Sequence, residues 1–90
     1  MNLDQRYVIP EESMSRRVGA ETVILHLSSG TYFGLDAVGT RAWTLLSEGK
    51  SLGEACTQML EEFDVSRTTL ETDICRLAEE LTQKNLIRLA

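Results

Sequence analysis

One histidine, one proline and two cysteines stand in 90 residues, and each scarcity removes a class of function. With His26 alone, a metal centre would need carboxylate or thiolate partners, and no recognisable spacing supplies them. Cys56 and Cys75 lie nineteen positions apart and form no CxxC pair. Both fall within helical patterns and read as reduced, packed thiols; a disulfide between them stays open at this level. No glycine-rich phosphate loop and no nucleophile elbow occurs. The expectation is therefore no catalytic residue, no metal and no cofactor. No apolar run approaches the ~20 residues of a membrane span. Met1 to Pro10 lacks the apolar core and cleavage site of a secretory signal, so a cytoplasmic chain off the membrane is expected.

Cationic charge is also short. Nine basic residues face fourteen acidic ones, a net charge of −5 that works against a sequence-independent grip on nucleic acid. What is present is an ordinary globular balance: 42% apolar and 26% charged residues. The length suits one small domain over residues 1–90, with 1–13 as a flexible or extended lead-in around Pro10. A chain this short has little room for both a core and an enclosed catalytic pocket, so a binding module is favoured.

Periodicity gives the element order. Met14–Val18 can form a short strand ending at Gly19. Thr22–Leu27 alternates, with Val23, Leu25 and Leu27 on one side and Thr22, Ile24 and His26 on the other. One face is buried, and His26 is expected at the surface. Ser28-Ser29-Gly30 is turn chemistry. Thr31–Leu35 resumes the alternation, placing Phe33 with Leu35 toward the core and Tyr32 outward.

Asp36 is suited to cap a helix that stops at Gly49. Ser51 with Glu54 forms a capping box for a second helix, whose apolar face runs from Leu52 to Phe63. Ser66 caps a third, carrying Leu70, Ile74, Leu77, Ala78 and Leu81 to about Lys84, with Asn85 as a left-handed stop. The fold class is α+β: a small N-terminal antiparallel sheet of three strands followed by three helices, similar to a winged helix-turn-helix.

That outline raises the alternative of a DNA-binding transcription regulator. The third helix would be the reader, and Ser66–Lys84 holds three cations against four anions. From residue 51 onward, four basic residues face eight acidic ones, which opposes phosphate binding. A small structural subunit of a larger enzyme is a third class. If Thr31–Leu35 is an edge strand, its unpaired backbone needs a cover or a use, and an incoming peptide strand is one such use.

The run TVILHLSSGTYFGLDAVGTRAWTLL, Thr22 to Leu46, resembles the PqqD-like family, that of the pyrroloquinoline quinone synthesis protein D. Gly30-Thr31-Tyr32-Phe33, Leu35-Asp36, Gly39 and Trp43 carry the resemblance most specifically; it continues through Phe63-Asp64-Val65 and Asp73-Ile74 to Asn85-Leu86-Ile87. The resemblance implies a non-catalytic adaptor that binds the leader segment of a precursor peptide by strand addition. It would present that precursor to a modifying enzyme such as a radical enzyme or a leader peptidase. The docking strand it implies is Thr31, Tyr32, Phe33, Gly34 and Leu35, and the groove wall is Asp73, Arg76, Leu77 and Glu80. The Ser28-Ser29-Gly30 turn differs from the Pro-Glu-Gly turn of quinone-pathway members. Recognition proteins of other peptide pathways, such as those for lasso peptides or radical-enzyme products, fit equally.

Overall fold

The computed structural model describes residues 2–90. Its elements run β1 (Tyr7–Val8), β2 (Ser13–Val18), β3 (Glu21–His26), β4 (Thr31–Leu35), α1 (Ala37–Ser47), α2 (Leu52–Met59), α3 (Arg67–Gln83) and β5 (Arg88–Leu89). Strands β2, β3 and β4 form an antiparallel sheet in that order, so β3 is central and β2 and β4 are its edges. Tight turns connect them, with Gly19 at φ +63° and Gly30 at φ +72°, the left-handed region where glycine carries no Cβ penalty.

The helices begin where side chains satisfy their first amides. Asp36 accepts from the Gly39 amide at 2.8 Å. Ser51 and Glu54 cap reciprocally, at 3.1 and 2.8 Å, and Ser66 accepts from the Thr69 amide. Arg6 donates to Glu54 at 2.7 Å, and this hydrogen bond, with that from Ser51, holds the Glu54 carboxyl down at about 2. Helix α2 ends at Met59, earlier than its apolar pattern suggests, and Leu60 and Phe63 pack from a following turn. Asn85 takes φ +60°, the expected left-handed stop after α3.

All three helices cover one face of the sheet or each other. Ile24 and Leu35 from the sheet meet Leu45, Leu52, Leu70 and Ile74 in a single apolar cluster. Each such side chain contributes roughly 1.5–3 kcal/mol on burial. The covered face of β3 is Thr22, Ile24 and His26; the more apolar set, Val23, Leu25 and Leu27, faces away. This corrects the surface position expected for His26, which is buried. Its Nδ1 lies 2.9 Å from Ser29 Oγ, and its Nε2 lies 3.5 Å from Glu12. The reason is register: Ile24 stands opposite Phe33 and Thr22 opposite Leu35, so the core side of β4 dictates the core side of β3.

The lead-in is held at several points. Leu52 and Gly53 donate to the carbonyls of Gln5 and Leu3, and β1 pairs antiparallel with β5, Tyr7 opposite Leu89. No helix is long and apolar enough to cross a membrane among the described residues.

Candidate functional site

Strand β4 leaves one backbone edge unpaired, and its direction follows from the ladder. Leu27 donates its amide to Glu12 at 2.8 Å, on the β2 side. Alternate residues of a strand aim their backbone groups at opposite neighbours, so Thr22, Ile24 and His26 address β4. Their partners are Leu35, Phe33 and Thr31. The N–H and C=O groups of Tyr32 and Gly34 therefore point to the open edge.

Helix α3 runs beside that edge, and a groove of about 520 Å³ lies between them. Strand β4 supplies Phe33, Gly34 and Leu35; α3 supplies Asp73, Ile74, Arg76, Leu77 and Glu80. Spacing explains the α3 set, because positions 73, 76, 77 and 80 stack on one side of a helix. The start of α1 closes one end with Asp36, Val38 and Gly39. A Cβ on Gly39 would sit 3.3 Å from both Asp36 Oδ1 and Leu35 Cδ2, so glycine lets α1 begin this close to β4. Lys84 Nζ stands 5.8 Å from the centre of the Phe33 ring, a cation–π placement.

The groove is apolar at its base and charged at its rim. Ile74 and Leu35 are buried, and Phe33, Val38 and Leu77 are half-buried against the core. Arg76 is 73% exposed and reaches Asp73 only at 3.9 Å, a weak, solvated pair. Seven of the nine residues singled out from sequence line this groove: Phe33, Gly34, Leu35, Asp73, Arg76, Leu77 and Glu80. Thr31 and Tyr32 do not. Tyr32 projects from the opposite face of the sheet and is 68% exposed. Sequence reasoning missed Asp36, Val38, Gly39 and Ile74. The cap at Asp36 was the available signal, since a helix starting one residue after β4 must put its first turn at the end of the strand.

Both thiols lie away from the groove, buried and free. Burial, reinforced by nearby Glu71, pushes the Cys56 thiol up to about 11, and burial raises that of Cys75. Among the described residues, no group of three or more His, Cys, Asp or Glu side chains is arranged to hold a metal ion.

An α+β domain with one sheet edge open along its longest helix is the class these features define. The chain belongs to the coenzyme PQQ synthesis protein D family, whose model matches residues 21–87. Among solved structures, it is similar to TbiB1 in complex with the TbiA(beta) leader peptide. The identity is 42%, over 89% of this chain and 93% of that one, with a TM-score of 0.83. It also shares its fold with a lasso peptide synthetase B1 complexed with the leader peptide, at 23% identity over 92% and 98% of the two chains and a TM-score of 0.84. No curated protein matches.

Proposed function

We propose that this chain is a peptide-binding adaptor without catalysis of its own. It takes the leader segment of a precursor peptide as an added strand on β4 and holds the precursor for a modifying enzyme in the cytoplasm. The carrying observation is the coincidence of two features on one strand: unpaired backbone groups at Tyr32 and Gly34, and a groove with an apolar base along the same edge. The 42% identical relative complexed with a leader peptide supports the same reading.

Magnitudes divide the work between backbone and side chains. About four strand hydrogen bonds at ~1 kcal/mol each are roughly cancelled by the ~2–5 kcal/mol needed to order a flexible leader. Apolar anchors must then carry the affinity, at ~1.5–3 kcal/mol per buried side chain. Phe33, Val38 and Leu77 offer the half-exposed apolar surface that such anchors would cover.

The test is calorimetry with the synthetic TbiA(beta) leader peptide as probe. Saturable one-to-one binding that Tyr32→Pro weakens is the expected result. Proline there removes an amide aimed at the open edge while leaving the β3–β4 ladder intact. Phe33→Pro is the contrast, because its amide faces β3 and its loss disturbs the hairpin itself. Unchanged affinity in folded Tyr32→Pro protein would overturn strand addition at β4.

A further inference from the structure

The face of the sheet turned away from the helices lies outside the groove. It nevertheless collects most of the exposed large apolar side chains. Met14, Val18, Val23, Leu27 and Tyr32 are five of the seven such residues, and four of them are more than half exposed. Register gathers them: Met14, Leu25 and Tyr32 stand in one row across the three strands, and Arg16, Val23 and Gly34 in the next. Between them lies an open depression of about 480 Å³, lined by Met14, Val18, Val23, Leu25 and Tyr32, with Arg16 as its one charged residue. The largest exposed apolar patch on a monomer is often a functional surface.

Gly34 adds an independent sign. Its φ is not positive, and a Cβ built on it would meet nothing within 4 Å. Neither backbone conformation nor internal packing requires glycine in the middle of this strand, where glycine is costly. A glycine in a strand interior often marks the close approach of another molecule.

We propose that this outer face is a second docking surface, which takes the folded enzyme that acts on the bound precursor. The proposal rests on the adaptor reading, and continuity with the leader strand is what selects the occupant. A leader paired to β4 becomes the fourth strand of the sheet. Strands lie about 4.8 Å apart, so it widens the outer face by about a third. Its alternate side chains stand beside Tyr32 on that same face. An enzyme seated there touches adaptor and leader together and meets the complete surface only when the leader is loaded. The matching surface is an apolar knob that fills the depression between Met14, Val23 and Tyr32, with a carboxylate placed to meet Arg16.

The test uses the full chain, the TbiA(beta) leader peptide, and the purified enzyme that processes the TbiA(beta) precursor. Met14→Glu with Val23→Glu places two charges on the outer face, on strands other than β4. Leader affinity is measured first by fluorescence anisotropy, then enzyme association by size-exclusion and calorimetry, with and without leader. The expected result is leader affinity within two-fold of native and a loss of at least ten-fold in enzyme association. Leu27→Glu, beyond the end of β3, serves if the pair fails to fold, with a loss of about three-fold expected. Enzyme association unchanged in the folded variants overturns the proposal. So does a native dimer that these variants split while enzyme association persists, because the face then belongs to a second copy. Native protein that binds no leader strikes the adaptor reading instead, and the anisotropy arm reports this before any enzyme is added.

Discussion

The sheet has two free edges, and they differ in what lies beside them. Along β4 runs α3, whose half-buried Leu77 and buried Ile74 give the groove between them apolar lining. Beside β2, Arg17 faces Ala37, Thr40, Arg41 and Thr44 of α1 across an open hollow; the six residues of β2 are mostly exposed and include Arg16 and Arg17. Its start is fastened by Ser13, whose hydroxyl donates to the Leu86 carbonyl at 2.9 Å. By the same ladder alternation, β2 presents the backbone of Ser15 and Arg17 to its open side, as β4 presents that of Tyr32 and Gly34, while the Ser13 amide is already taken by the Pro10 carbonyl. Unpaired amides are thus common to both edges. The neighbouring side chains separate an edge that can select a peptide from one that charges protect against pairing.

The comparison breaks first under proline. Tyr32→Pro should weaken leader binding ten-fold or more, whereas Ser15→Pro, aimed at the opposite open edge, should leave it within two-fold. Calorimetry on both folded variants decides the matter. Equal losses would mean that the two edges are not distinct in function.

Leu77→Asp tests the wall rather than the edge. A carboxylate at the half-buried position should cost roughly 1.5–3 kcal/mol of binding, about ten- to a hundred-fold, with no change in the β3–β4 ladder. A smaller loss would hand the selectivity back to the backbone.

Gly34→Val sharpens the comparison from the stability side. Thermal melts should show the variant stabler by about 0.5–1 kcal/mol, because valine suits a strand and its Cβ has open space. A less stable variant would show that glycine serves the fold and not a partner.

Arg76→Glu should have a small effect, about two- to three-fold on an acidic leader, shrinking as salt rises. The side chain is largely solvated and only loosely paired with Asp73. The thiols should matter least for binding. At pH 8, the native chain should react slowly with a disulfide reagent and rapidly once unfolded. Cys56 is raised by burial from 9 to about 11. Its contribution to stability is complete below pH 9 and is lost as pH climbs toward 11, because the unfolded thiol ionises first. A melting series across that range checks the sign.

Much of this architecture was legible in the residues. Asp36, Ser51 and Ser66 were readable as caps because capping chemistry is local, and Gly30 and Asn85 as turn and stop for the same reason. The α3 groove positions were legible through a resemblance, since helical spacing groups 73, 76, 77 and 80 without saying what they face. Three things were not legible. His26 was expected at the surface, but the face of a strand that is buried is decided across the ladder by Phe33 and Leu35. The β1–β5 pairing joins residues some eighty positions apart, beyond any local pattern. Val38 and Ile74 became groove residues only once α1 and α3 were packed against the sheet.

The clasp between β1 and β5 has an architectural consequence. It sits against Glu79, Thr82 and Gln83, on a side of α3 different from the one that carries Arg76, Leu77 and Glu80. Strands β1 and β5 therefore lie away from the groove, and Ala90 donates back to the Arg6 carbonyl within the clasp itself. A tether attached after Ala90, such as an engineered fusion, would leave the β4 edge clear. A short linker across the clasp with a new opening in the Ser28–Gly30 turn would give a permuted chain whose groove lies undisturbed between its helices and its sheet.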